Sequence, residues 1–144
     1  MDERKAFRLY VSSDSSASYY TVNTKSKFWV HLANPIRLEG VWEVGLTELF
    51  TCATKTPQTS AVYVYCNLSV KVPVSDSMSR CLRILPPFSN TAINSFNFDR
   101  PYFERVEFAE FQDISLFLLD NSAQALNLAD VGVVTHAVLY FRPR

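Results

Sequence analysis

The chain has 144 residues, 48% hydrophobic and 14% aromatic with only 3 glycines. That is one domain's worth of strand-favouring bulk, able to bury roughly two thirds of its unfolded surface, and it excludes a disordered chain. Fourteen basic residues balance 14 acidic ones, so no net field holds a polyanion. The pairs Arg80/Arg83, Arg100/Arg105 and Arg142/Arg144 are not interleaved with stacking aromatics, and direct nucleic-acid binding is not expected.

In chain order, residues 1–5 are charged except for Met1 and are expected to be flexible, with no secretory signal behind them. The protein is therefore expected to be made in the cytosol and to be soluble. No run approaches the roughly eighteen apolar residues of a membrane span. Residues 6–11 (AFRLYV) read as the first strand, 12–18 as a serine-rich loop, and 19–22 (YYTV) as a short strand.

The stretch 28–50 (FWVHLANPIRLEGVWEVGLTELF) is the expected centre of the core. Asn34-Pro35 and Glu39-Gly40 divide it into two apolar runs. Simple alternation places Phe28, Val30 and Leu32 opposite Trp29 and His31. In the second run it places Trp42, Val44, Leu46 and Phe50 on one face and Glu43, Gly45, Thr47 and Leu49 on the other. Glu48 then falls on the apolar face and needs a partner, and the Trp42 indole N–H needs an acceptor.

Residues 51–60 read as a loop and 61–70 as a long strand. A turn is expected at Ser75-Asp76-Ser77 and a strand at 81–85 (CLRIL). Residues 88–100 form an irregular connection with one short strand, followed by strands at 102–108 and 114–119, the latter nearly all apolar. Asp120-Asn121-Ser122 signals a hairpin, and 131–142 is the last strand. A helix is conceivable only at 122–130. The pattern gives about eight or nine strands and predicts an all-β protein, an antiparallel β-sandwich or barrel forming a single domain over 1–144.

The chemistry of catalysis is missing from the sequence. His31 and His136, the only histidines, sit alone in strands, where satisfied structural roles are usual. No nucleophile elbow, zinc-binding helix or phosphate loop occurs. Cys52, Cys66 and Cys81 lie at irregular spacings that give neither a disulfide framework nor a metal motif, and are expected to be reduced and partly buried. No enzyme, cofactor or metal is expected. Tyr63 and Tyr65 on one strand face, with Phe108 and Phe111 near a loop, are candidate interface residues, because aromatics are enriched where proteins meet.

The string FWVHL at 28–32, followed by PIRLEGVWEVGLTE at 35–48, resembles the P-x-x-L-x-G-x-W-E-V-x-L-x-E pattern of penton-like minor capsid proteins of Polinton or Maverick elements and adintovirus-like viruses. The similarity continues in VYVY at 62–65, LRIL at 82–85, Pro101-Tyr102 and the closing THAVLYFR at 135–142, in consistent order. The chain departs from the pattern at 121–124, where a glycine is expected, and it contains no Arg-Gly-Asp.

The resemblance implies a single jelly roll of about eight strands in two sheets. Five copies would close into a homopentamer at icosahedral vertices of a virion capsid, beside a double-jelly-roll major capsid protein. Trp42, Val44, Leu46, Leu139 and Phe141 would form the core. Pro35, Gly40 and Gly45 would shape the chain beside it, and Arg83 and Arg142 would pair with acids such as Glu48. Ring closure requires a heterologous contact between two different flanks. The alternatives are a sandwich module recognising carbohydrate or a receptor, with Tyr63, Tyr65 and Asn67 as its site, and a captured capsid-type protein with a host role.

Overall fold

The alternation of apolar and polar side chains is realised as strands throughout. Among residues 5–144, which this computed structural model describes, there is no helix. Residues 1–4 of the segment expected to be flexible lie outside the described residues. The strands are β1 (Phe7–Ser12), β2 (Lys27–Arg37), β3 (Trp42–Thr51), β4 (Val62–Cys66), β5 (Val72–Val74), β6 (Ser77–Ser79), β7 (Cys81–Leu85), β8 (Asn94–Asn97), β9 (Phe103–Arg105), β10 (Glu110–Leu119) and β11 (His136–Pro143).

The first sheet has the order β1-β11-β3-β8, with β9 also paired to β3, and the second has β2-β10-β4-β7. All pairs are antiparallel, and they are nested in sequence. β1 lies on β11, β2 on β10, β3 on β8 and β9, and β4 on β7. β11 and β10 then bridge to β3 and β4 and complete each sheet. The short strands β5 and β6 form a separate hairpin.

The two sheets face each other across one core, so the molecule is an antiparallel β-sandwich. Leu46, Leu49, Leu139 and Phe141 enter that core from the first sheet, and Phe28, Val64, Ile114, Leu116 and Leu118 from the second. Each fully buried side chain of this size contributes about 1.5–3 kcal/mol of transfer free energy. Trp42 is buried with its indole N–H donating to the Glu39 carbonyl at 2.9 Å. Phe7 stacks on Phe141 at 4.9 Å and tilts against Trp42 at 5.7 Å, closing that end of the core.

The departures from simple alternation have local causes. In β3 the register moves from Leu46↔Leu139 to Glu48↔Val138, so Thr47 is an extra residue in a β-bulge. Beyond it the faces exchange. Leu49 and Thr51 turn inward, while Glu48 and Phe50 turn out to solvent, the reverse of the phase that continuous alternation gives. In β2 the Asn34-Pro35 breaker does not end the strand. It falls inside an irregularity where pairing passes from His31↔Asp113 to Ile36↔Phe111, a position that tolerates a residue without a ladder donor.

Residues 19–22 form turns rather than a strand. The strand expected over 61–70 stops at Cys66, and the chain then builds the β5–β6 hairpin, whose Ser75 adopts φ 53°. The strand expected over 102–108 contracts to β9. Residues 122–130 are an irregular segment that buries Leu126 and Leu128, and β11 begins only at His136. Asp120 organises the turn after β10 by accepting from the backbone N–H groups of Ser122 and Gln124 at 2.8 and 3.0 Å, and Ala123 adopts φ 61° there.

Candidate functional site

On the second sheet, pleating turns Trp29, Phe117, Leu119, Tyr63 and Tyr65 away from the core. Register sets Phe117 opposite Tyr65 and Leu119 opposite Tyr63. Trp29 meets Phe117 edge-on at 4.9 Å, and the Lys27 ammonium lies 4.8 Å over the Phe117 ring. Ile84, 51% exposed and opposite Tyr63, extends the row to the β7 edge. A groove of about 280 Å³ runs between Tyr65, Asn67, Arg80, Ser115, Phe117 and Leu119. Burial pushes the Tyr65 phenol up. The tyrosine pair read from the sequence is thus the visible part of an aromatic row across three strands, which Ile84 continues on a fourth.

The other two interface candidates separate. Phe108 is 44% exposed, with the Arg80 guanidinium 5.5 Å over its ring. Phe111 is only 7% exposed and stacks on Phe141 at 5.8 Å, so it belongs to the core and is removed from the interface set. Its place at the start of β10, after a loop and opposite the irregular part of β2, gave no sequence signal of burial. Asn67 does not offer its amide to a ligand beside Tyr65. Its Oδ1 accepts from Ser115 N–H at 2.9 Å and its Nδ2 donates to the Asp113 carbonyl at 3.2 Å.

The serine-rich loop caps one border of this face. Antiparallel pairing to β10 leaves alternate backbone groups of β2 pointing outward, and the loop satisfies them. The Asn23 amide accepts from Trp29 N–H at 2.9 Å and donates to Trp29 C=O at 2.8 Å, and His31 N–H donates to Ser16 Oγ at 2.9 Å. Tyr19 stacks on His31 at 4.1 Å, the Tyr20 hydroxyl donates to Asp113, and His31 Nδ1 lies 2.9 Å from Asp113 Oδ1. The bond to Asp113, with burial adding to it, pushes the Tyr20 phenol up to about 12. The same bond, with His31 beside it, holds the Asp113 carboxyl below its ordinary value against desolvation. This cluster fastens a strap; its groups are engaged with one another.

The expected pairing of Arg83 and Arg142 with Glu48 is corrected, because the bulge turns Glu48 outward. Arg142 pairs with Glu43 at 2.5 Å and lies 3.5 Å over Phe103. Arg83 lies between the Phe98 and Tyr102 rings, at 3.7 and 4.2 Å, where β7 and the β8–β9 connection meet. Val44, Leu46, Leu139 and Phe141 are all at most 1% exposed. Pro35 and Gly40 are exposed, Gly40 with φ 82°. Gly45 is buried, since the backbone of residues 101–103 passes directly over it.

His31 and His136 lie on the outer faces of different sheets, so no site combines them. Among the described residues, no group of three or more His, Cys, Asp and Glu is placed to hold a metal ion. The three cysteines are free and buried. Burial pushes the Cys66 thiol up to about 11 and raises Cys81 as well, which makes both poor nucleophiles. Among the described residues, no helix is long and apolar enough to cross a membrane. No family model matches the chain, and no curated protein matches it.

Proposed function

We propose that this chain is a penton-like minor capsid protein, a single jelly roll that closes as a homopentamer at the vertices of a virion whose shell is built from a double-jelly-roll protein. The observation that supports this reading is the nested pairing of β1 with β11, β2 with β10, β3 with β8 and β4 with β7 in two facing sheets, with β9 as a fifth strand of the first. A long antiparallel hairpin wound into two sheets has this order, and jelly rolls of that kind build viral capsids and lectins. The motif order over residues 28–142 favours the capsid branch.

The aromatic row of Trp29, Phe117, Tyr65 and Tyr63 supplies one half of the ring contact. A closed ring joins two different patches, and large, rigid, half-exposed rings are the usual anchors at the centre of such contacts. Purified chain measured by light scattering after size exclusion, across a concentration series, is expected to pass from one copy to five. A single copy at every concentration up to about 1 mM, the weak end of specific association, overturns ring formation by this chain alone.

A further inference from the structure

The outer face of the first sheet carries a second groove, of about 510 Å³, built quite differently. Register lays Arg8, Tyr140, Gly45 and Phe103 across it in one row, and Tyr10, Val138, Glu48 and Asn97 in the next. Gly45, which has no side chain, lets residues 101–103 pack down over it, and they form one wall of the groove. The bulge at Thr47 turns Glu48 into the groove rather than the core. Asp99 borders it beyond β8. Arg8, Glu48, Asn97 and Asp99 are exposed, and among the described residues no side-chain hydrogen bond or ion pair engages any of them. Tyr10 stands at the rim, 70% exposed.

We propose that this groove binds a neutral saccharide. Charges of both signs stand free in it, so a phosphate drawn to Arg8 meets Glu48 and Asp99, and a cation drawn to the carboxylates meets Arg8. A neutral ligand dense in hydroxyls satisfies both. Its O–H groups donate to the Glu48 and Asp99 carboxylates, and its oxygens accept from the Arg8 guanidinium and the Asn97 amide. The apolar C–H face of a pyranose ring lies on the Tyr10 ring, whose flat surface is both hydrophobic and open. The groove volume falls within the range of small-ligand sites. Three strand spacings separate Tyr10 from Asn97, roughly 14 Å, longer than one sugar ring. The site lies on the sheet opposite the aromatic row, and it does not rest on the assignment of a ring contact there.

The test is an amide NMR titration of the full chain with lactose, maltotriose, N,N′-diacetylchitobiose and methyl α-mannoside as probes, each to about 50 mM, which detects millimolar dissociation constants. Inorganic phosphate and choline serve as charged controls. Saturable shifts at Tyr10, Glu48 and Asn97 are expected with at least one saccharide, weakened about tenfold in Glu48→Ala and in Tyr10→Ala, the loss expected for one charged hydrogen bond or one stacked ring. Both positions are exposed, so unchanged melting temperatures show that the variants fold. The proposal is overturned by no saturable shift with any saccharide, by shifts that persist in both variants or map to Tyr65 and Phe117, or by binding of phosphate or choline alone.

Discussion

Two small residues hold positions that only one kind of side chain suits, and they are unequally matched to them. Ala123 sits at φ 61°, where a Cβ is strained. Ala123→Gly is expected to stabilise the fold by about 0.5–1 kcal/mol, the relief of strain exceeding the extra entropy of the unfolded chain. The melting temperature should rise by about 2–3 °C, and a fall rejects the strained-turn account. Gly45 is the converse. A Cβ there would lie 2.9 Å from the Tyr102 carbonyl oxygen and 3.1 Å from Pro101 Cβ. The obstructing oxygen is backbone, so the wall of residues 101–103 must move. Gly45→Ala is expected to cost about 1–3 kcal/mol, the range of overpacked sites. Denaturant unfolding reads the loss, and an unchanged midpoint shows that the wall yields freely.

At the scale of elements, the strap over β2 ties its stability to pH at both ends. A carboxylate held below its ordinary value, as Asp113 is, stabilises the fold above its unfolded value of 3.8 and loses that contribution as pH falls through the lower folded value. A phenol raised from 10.0 to about 12, as Tyr20 is, stabilises below 10.0 and loses that contribution as pH rises toward about 12. The difference in melting temperature between the parent and Tyr20→Phe should be widest at neutral pH and narrow toward both extremes. A gap that stays constant from acid to alkali shows that the hydroxyl does not bind the strap through Asp113.

The strap also marks where sequence patterning stops being informative. Residues 19–22 have the composition of a strand, yet they lie in a segment that stabilises the sheet edge through the Ser16, Tyr20 and Asn23 side chains, whose partners lie across loops that alternation does not encode. Likewise the period of two located β1, β3 and β7 and set Trp42, Val44 and Leu46 on one apolar face, while Leu139 and Phe141 were expected in the core through the family resemblance. The period could not register the extra residue at Thr47, which exchanges Leu49 with Phe50 and carries Glu48 out of the core. Phe117 lies in an almost wholly apolar run, where Ser115 is the one polar residue sharing its face. The aromatic row was therefore legible only at Tyr63 and Tyr65.

For the whole molecule, the proposed association would proceed without electrostatic help or hindrance. The formal net charge is zero at pH 7, so copies neither repel nor attract one another over distance, and the outward aromatic row carries little charge apart from Lys27 and Arg80. Ring closure through that row should then respond weakly to salt, since screening acts on charges and leaves apolar burial intact or stronger. It should respond strongly to loss of the rings. Tyr65→Ala and Phe117→Ala each remove a half-buried aromatic facing the other across strands β4 and β10. Truncating a central aromatic anchor typically costs 2 kcal/mol or more, about thirtyfold in dissociation constant for each. Sedimentation of parent and double variant at about 50 and 500 mM salt, roughly 14 and 4 Å of screening length, separates the cases. A salt-insensitive five-copy species that vanishes in a folded double variant supports the aromatic contact. Rings that persist in the variant and dissolve in salt place the contact on charged edges instead.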